Sequence, residues 1–190
     1  MKIYLEDFKY RLSLSIFFFI LIFHTPLFSQ NIRIQDYEIK AIFIYHFTKY
    51  IKWSDFDTSE TFNIAILGDS DIIIPLREIA KIRSVNNRKI EIEHFQNVED
   101  INASHILFIS ESMRNQIDVV LQNIEGENIL TVSSSEGFAD RGVAINFVIV
   151  HGKIKFEINS HALERAGLKA SSQLKKLAIP VGEKDRRAND

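Results

Sequence analysis

Residues 61–82, TFNIAILGDSDIIIPLREIAKI, contain a short apolar run, a polar turn and a helical pattern in that order. The run at residues 61–67 (TFNIAIL) has the length and apolar content of a buried strand, and Gly68 begins the turn that closes it. A helix over residues 72–82 accommodates Pro75, because this proline falls in the first helical turn. The stretch therefore predicts one strand-helix unit of an α/β fold.

The same alternation continues along the chain. Strands are predicted at residues 89–95, 105–109 and 128–132, with a short helix or turn at 98–103 and a helix at 113–124. Parallel strands need crossovers that cover the faces of the sheet. Strands that alternate with helices of about ten residues therefore indicate a largely parallel sheet.

The last third of the sequence breaks this pattern. Strands predicted at residues 143–150 and 153–159 are separated only by the dipeptide His-Gly at 151–152, which indicates an antiparallel hairpin. Two short helices are predicted after it, at residues 161–166 and 172–178. The predicted fold class is α/β: a single three-layer domain with a mixed, mostly parallel central sheet, helices on both faces and a C-terminal antiparallel hairpin.

The stretch before the first predicted strand has a helical pattern. Apolar side chains recur every three or four positions in residues 36–53, and Asp36 is the predicted N-cap. The helix carries a stripe of aromatic residues: Phe43, Tyr45, Phe47, Tyr50 and Trp53. We interpret the stripe as core packing, because each ring buries roughly 150–250 Å². Stacking against a flat ligand is the alternative.

Residues 1–29 differ in composition from the rest of the chain and are predicted to be a signal peptide. Basic residues precede an uncharged run at residues 12–23 (LSLSIFFFILIF), which is shorter than the roughly 20 apolar residues of a membrane-spanning helix. Cleavage is predicted after Ser29, with an uncleaved anchor as the alternative. Residues 30–181 are then predicted to form one exported α/β domain, and residues 182–190 a charged, disordered tail.

Composition narrows the classes of function. The chain has 23 Lys and Arg against 25 Asp and Glu, so it lacks the basic excess of a nucleic-acid-binding protein. It contains no cysteine, which excludes thiol catalysis and thiolate metal ligation. The sequence also lacks a glycine-rich phosphate loop, a nucleophile elbow and a paired-histidine metal helix. We therefore expect no cofactor.

The histidines after residue 29 share no metal-ligand spacing, so no metal site is expected from them: His46, His94, His105, His151 and His161. A hydrolase is a further possibility. Its site would combine the strand-end turns at Asp69, Ser110 and residues 133–135, with His94 or His105 as the base. The competing interpretation is that Asp69 and Ser110 cap helices.

Residues 133–142 (SSSEGFADRG) form the longest polar, glycine-bounded segment, and they follow the strand predicted at 128–132. Open α/β sheets bind ligands beyond the carboxyl ends of their strands, so this segment has the position of a binding loop. A plain connection into the hairpin explains it equally well, with Gly137 and Gly142 supplying unusual backbone angles.

One further pattern begins in the opening helix, at residues 37–53 (YEIKAIFIYHFTKYIKW). Shorter segments continue it in order and spacing: residues 66–69 (ILGD), 105–110 (HILFIS), 137–142 (GFADRG), 145–147 (INF), 156–159 (FEIN), 166–168 (AGL) and 171–174 (SSQL). On these segments, from about Tyr37 to Leu177, the chain resembles the YfiR-like family.

This resemblance implies a non-enzymatic periplasmic regulator that forms homodimers and restrains an inner-membrane diguanylate cyclase. Cyclic-di-GMP signalling and biofilm formation lie downstream of such a regulator. Because the family is broad, a sensor kinase is a second possible partner, and a periplasmic small-molecule sensor is the alternative function. The well-studied members carry disulfides, so the absence of cysteine here rules out redox control through cysteine.

We predict five residues for recognition of a partner or ligand: Phe138, Arg141, Asn146, Ser172 and Trp53. Arg141 is chosen because a guanidinium pairs bidentately with a carboxylate. Its alternative role is an ion pair within the chain, for example with Asp140 or Glu157. Asn146 and Asn159 have the alternative role of tying loops to the sheet.

Overall fold

The structure is a computed structural model that describes residues 27–53 and 60–182. The chain divides into two units, Met1–Gln35 and Asp36–Asp190, and the fold described below is that of the second unit.

Residues 1–26 of the predicted signal peptide and residues 183–190 of the predicted tail lie outside the described residues, so both stay predictions. Among the helices that the structure does describe, none is long and apolar enough to cross a membrane.

The elements alternate between strands and helices, as the sequence predicts. The α-helices are α1 (Leu27–Tyr50), α2 (Ile73–Ile82), α3 (Ile117–Asn123), α4 (Ser160–Arg165) and α5 (Ser172–Leu177), with 3₁₀ helices at Val98–Asp100 and Glu111–Gln116. The strands are β1 (Ile51–Lys52), β2 (Thr61–Leu67), β3 (Ser84–Val85), β4 (Arg88–Phe95), β5 (Ile106–Ile109), β6 (Leu130–Ser133), β7 (Ile145–Val150), β8 (Lys153–Asn159), β9 (Lys169–Ala170) and β10 (Ile179–Val181).

Eight of these strands form one mixed sheet in the order β10-β8-β7-β6-β5-β2-β4-β3, and β1 pairs with β9 separately. Neighbours from β4 to β7 are parallel, whereas β8 is antiparallel to β7 and β3 is antiparallel to β4. Leu67 is level with Ile109, and Ile109 is level with Ser133. We call this level, at which β2, β5 and β6 end, the carboxyl edge of the sheet.

Two hydrophobic cores lie on opposite faces of the sheet. On β2, Phe62, Ile64 and Ile66 belong to the first core, whereas Ala65 and Leu67 belong to the second. The first core takes its helical side chains from α1, α2, α4 and α5, and the second from α3 and the two 3₁₀ helices. Helices therefore cover both faces, and the predicted three-layer α/β fold with its C-terminal hairpin is confirmed.

Helix α1 packs on the first core through Ala41, Ile44 and Phe47, which recur every three residues and are almost fully buried. The helix begins at Leu27, so the prediction of Asp36 as its N-cap is wrong. Residues 27–50 contain no glycine or proline, and nothing in the sequence stops the helical backbone at Asp36.

The predicted bounds of β2 and β8 are confirmed to the residue. The hairpin turn between β7 and β8 is also confirmed, with φ of +51° at His151 and +70° at Gly152, as a two-residue turn requires. The helix predicted at residues 113–124 begins instead as a 3₁₀ helix and becomes α-helical at Ile117. Four strands of two or three residues were not predicted: β1, β3, β9 and β10.

Candidate functional site

Arg141 connects the loop after β6 to the helices of the second core through hydrogen bonds. Its Nη2 and Nε donate to the two carboxylate oxygens of Asp118 over 2.7 and 3.3 Å, and its Nη1 donates to the Arg114 carbonyl over 3.1 Å. The ion pair within the chain therefore exists, but with Asp118 in place of Asp140 or Glu157. About a third of the Arg141 side chain (36%) stays exposed, so the guanidinium is held at the surface in a fixed orientation.

Arg141 and Gly142 line a cleft of about 230 Å³ between this loop, the end of α3 and α4. The other charged side chains around it are Glu125, Glu127 and Arg165. We call this space the loop cleft. With two guanidinium groups and two carboxylates at its rim, it is suited to a polar segment that carries both charges, rather than to an apolar ligand.

Two of the other predicted residues are buried. Phe138 is fully buried in the second core, with the Arg114 guanidinium 5.3 Å from its ring centre. Asn146 is also fully buried and donates from Nδ2 to Glu157 over 3.0 Å, while its Oδ1 has no partner among the described residues. Neither side chain offers surface to a partner in this conformation.

Ser172 is exposed at the start of α5, but the residue that caps this helix is Ser171, whose Oγ accepts from the Leu174 N–H over 3.2 Å. Asn159 ties a loop to the sheet, which is the alternative role considered for it above. Its Nδ2 donates to the Ala139 carbonyl over 2.9 Å, and its Oδ1 accepts from Ala162 at the start of α4. The loop after β6 is thus joined to the sheet as well as to α3.

The turns that a hydrolase would use do meet at the carboxyl edge. Ser110 Oγ and Ser112 Oγ are 2.7 Å apart, and Ser112 Oγ accepts from the Asp69 N–H over 3.1 Å. Ser133 Oγ donates to the Ile109 carbonyl over 2.8 Å and accepts from the Ser135 N–H over 3.3 Å. These hydroxyls are used to join the turns to one another.

The two histidines do not complete a catalytic pair with these serines. His94 Nε2 lies 3.0 Å from the Gly68 carbonyl, to which it donates, so this nitrogen is not available as a base. His105 Nδ1 accepts from the Asn63 N–H at the amino end of β5, and Ser110 follows the other end. At about 3.3 Å per residue, the strand separates His105 from Ser110 by about 16 Å. Among the described residues, no group of three or more His, Asp or Glu is arranged to hold a metal ion.

Glu111 joins the carboxyl edge to the loop. A hydrogen bond from Arg114 holds the pKa of the Glu111 carboxyl below its usual range, and a hydrogen bond with Ser135 adds to this effect. The same contact raises the pKa of Arg114. Both side chains are largely exposed, so the pair contributes little to the stability of the whole fold. We call it the clamp, because its contact with Ser135 holds the loop locally.

Trp53 lies on the other side of the molecule from this loop, against the first core. Its ring meets Phe62 edge to face at 5.2 Å, and its Nε1 donates to the His105 carbonyl over 3.0 Å. Trp53 lines a second and larger cavity, of about 720 Å³. We call this space the helix-end cavity, because the last turn of α1 forms one of its walls.

The structure does not bring the five predicted residues together. Arg141 is the one that lines the loop cleft, Trp53 lines the helix-end cavity, and Phe138, Asn146 and Ser172 line neither. Sequence reasoning missed Asp118 and Arg165, because their proximity to Arg141 depends on how α3 and α4 pack.

Solved structures similar to this chain share little of its sequence. One is the ABC domain in complex with L-Trp from Streptococcus pneumoniae, with 10% identity, a TM-score of 0.47 and coverage of 65% of this chain and 56% of that chain. Another is a conserved domain protein from Vibrio cholerae O1 biovar eltor str. N16961, with 12% identity, a TM-score of 0.48 and coverage of 76% of this chain and 59% of that one. The chain therefore spans less than two thirds of either structure.

No curated protein matches the sequence. A family model does match it, over residues 37–179, which is most of the chain and includes β2, the carboxyl edge and the loop cleft. The likeness noted in the opening helix and in the C-terminal segments lies within this match. The chain belongs to the YfiR/HmsC-like family.

Proposed function

We propose that this protein is a non-enzymatic periplasmic regulator that binds and restrains a membrane-bound signalling protein. A diguanylate cyclase is the first candidate for the partner and a sensor kinase the second, with cyclic-di-GMP levels and biofilm formation as the output of the cyclase. Membership of the YfiR/HmsC-like family carries this proposal. Export through a cleaved signal peptide, residues 1–29, is part of it.

The loop cleft is the surface that we assign to the partner. Arg141 is oriented by Asp118 and Arg114 and keeps an exposed guanidinium with further N–H groups. Arg165 lies beside it, with Nη2 about 3.3 Å from the place where a Cβ on Gly142 would stand. A partner carboxylate would bind between the two guanidinium groups, and it would share or replace the contact of Arg141 with Asp118.

Pull-down from detergent-solubilised membranes of the native host tests the proposal. The full-length chain carries a C-terminal tag, so that the host can process its N-terminus, and retained proteins are identified by mass spectrometry. We expect a membrane protein with a cyclase or kinase output domain. N-terminal sequencing of the purified bait reports whether cleavage follows Ser29. Retention of soluble proteins alone would contradict the proposal.

Two variants separate recognition by Arg141 from its role in the loop. Arg141→Ala removes both functions, whereas Asp118→Ala removes the internal ion pair and leaves the guanidinium available. We expect Arg141→Ala to reduce recovery of the partner at least tenfold, and Asp118→Ala to retain or increase it. Equal losses in both variants would mean that Arg141 only holds the loop. Lys153→Gln, at the tip of the distant β7–β8 hairpin, is the matched surface control.

A further inference from the structure

The loop cleft has a buried apolar floor. Ile124, Ile129 and Ala162 line it, and each of them is more than nine-tenths buried. Leu121 is partly buried and also lines the cleft, with Cδ1 3.3 Å from the place where a Cβ on Gly142 would stand. The volume of about 230 Å³ is below the roughly 300–1,000 Å³ of pockets for drug-sized ligands. The cleft therefore has room for a molecule of few heavy atoms.

The rim of the cleft carries charges of both signs. Arg165, Glu125 and Glu127 all line it, yet within residues 36–53 and 60–182 none of the three makes an ion pair. Arg141, the fourth charged residue, is held by Asp118 and keeps further N–H groups. Opposite charges that surround one space without contacting each other are available to a ligand that itself carries both signs.

One polar side chain lies among the apolar residues of the lining. Thr131 on β6 lines the cleft and is only 5% exposed, and its Oγ1 accepts from the Ala144 N–H over 2.8 Å. Because Oγ1 is the acceptor in this bond, the hydroxyl still has a proton to donate. A buried hydroxyl of this kind favours a ligand with an acceptor group, such as a carboxylate, over a hydrocarbon.

A small apolar floor and a rim of both charges thus occur in one cleft. We propose that the loop cleft binds a free α-amino acid with a small aliphatic side chain. Its carboxylate lies between the guanidinium groups of Arg141 and Arg165. Its ammonium group faces Glu125 and Glu127, and its side chain packs on the floor. Neither sign of charge alone would select this class, because two guanidinium groups suit any carboxylate and two carboxylates suit any amine.

The proposed site shares Arg141 with the surface assigned to the partner. A bound amino acid would occupy the guanidinium groups that a partner carboxylate needs, so the ligand and the partner would exclude one another. This consequence rests on the proposed function, whereas binding of the amino acid does not. The assay needs only this chain, so its outcome is separate from that of the pull-down.

Isothermal titration calorimetry of the purified protein tests the site, with L-valine as the probe. Two matched controls each lack one of its charges. N-acetyl-L-valine keeps the carboxylate without the ammonium group, and L-valinamide keeps the ammonium group without the carboxylate. The two controls also represent the two ends of a peptide chain. We expect L-valine to bind at one site per chain, with a dissociation constant at least tenfold below that of either control.

Variants at the rim assign the charges to the two ends of the ligand. Arg165→Gln should weaken binding of L-valine at least tenfold and leave binding of L-valinamide unchanged. The double variant Glu125→Gln/Glu127→Gln should weaken L-valine to a similar degree and leave N-acetyl-L-valine unchanged. Lys153→Gln, on the distant hairpin, should change none of these affinities. All four side chains are exposed, so the fold should stay intact, which thermal melting of each variant verifies.

Three results would overturn the proposal: no saturable heat of binding with L-valine, a control that binds as tightly as L-valine, or equal losses of affinity for L-valine and L-valinamide in Arg165→Gln. The second result would assign the cleft to one end of a peptide chain. The third would mean that Arg165 acts on the shape of the cleft and does not contact the carboxylate.

Discussion

The carboxyl edge and the helix-end cavity are both rich in polar side chains, but they differ in where their hydrogen bonds go. At the carboxyl edge, Ser112 accepts from Asp69, and Ser133 joins Ile109 to Ser135, so the polar groups satisfy one another. At the helix-end cavity, Lys49 and Lys52 line open space instead.

This difference separates polar residues that stabilise the fold from those free to bind something else. A buried hydroxyl that holds two backbone groups is costly to remove, because both groups lose a partner. A cation at the rim of a cavity contributes little to stability, and its removal changes only what the cavity attracts. Substitutions of similar size should therefore lower the free energy of unfolding at the carboxyl edge and leave it almost unchanged at the helix-end cavity.

The largest effect should come from Gly68→Ala at the carboxyl edge. Gly68 has φ of +76°, and an added Cβ would overlap the hydroxyls of Ser110 and Ser112. The backbone cost of about 1–2 kcal/mol and the overlap cost of about 1–3 kcal/mol together predict a loss of about 3 kcal/mol in the free energy of unfolding, measured by urea denaturation. Gly126→Ala is the control, since Gly126 has φ of +84° and no neighbour within 4 Å of the added Cβ. Equal losses would show that the contact with the serines is unimportant.

A smaller loss is expected from Ser133→Ala. Ser133 is fully buried, and its removal leaves the Ser135 N–H without an acceptor. We expect a decrease of about 1–3 kcal/mol in the free energy of unfolding. Ser172→Ala, at an exposed serine, should change it by less than about 0.5 kcal/mol. If the two variants proved equally stable, the carboxyl edge would not be the satisfied network described above.

The clamp between Glu111 and Arg114 should add a small, pH-dependent contribution. The pKa of Glu111 is lower in the folded protein than in the unfolded chain, because Arg114 donates to its carboxylate. The contribution is therefore complete above the ordinary pKa of a glutamate and is lost as the pH falls through the folded value. Chemical denaturation of the protein and of Glu111→Gln should give a stability difference at pH 7 that is lost as the pH falls through the lowered pKa of Glu111 in the folded protein. A difference that grew on acidification would contradict the assignment.

The smallest effect is expected at the cavity. Lys52 lies directly opposite Lys169 in the β1–β9 pair, and like charges in such a position destabilise a sheet. Lys52→Gln should therefore leave the melting temperature unchanged or raise it slightly, by the equivalent of less than about 0.5 kcal/mol. Clear destabilisation would place Lys52 among the structural residues and would weaken the contrast between the two regions.

The sequence predicted the parts of the fold that have local signals. The run TFNIAIL, the hairpin turn at His151 and the apolar spacing in α1 each indicate an element without reference to the rest of the chain. The strands that it did not predict are two or three residues long and form because distant segments meet. Ile51, for example, pairs with Ala170. No window of neighbouring residues carries that information.

The same reason limited prediction of the sites. The polar loop after β6 was recognisable from its composition, but the partner of Arg141 lies 23 positions away on α3. Phe138 was chosen for recognition of a partner or ligand and is used by the core, since a single apolar side chain in a polar loop has no pattern that reveals its orientation. Lys49 and Arg88 become neighbours only because the β3–β4 turn folds back beside the end of α1.

The two outermost strands of the sheet determine how copies of this chain can meet. At one edge β3 has two residues, and at the other β10 has three, of which Pro180 has no N–H to donate. Within residues 60–182, neither edge offers a long row of backbone donors and acceptors to a strand from another molecule. A sheet that ends in this way resists edge-to-edge aggregation. If two copies assemble, we therefore expect them to do so through side chains on the faces of the domain, and not by extending the sheet.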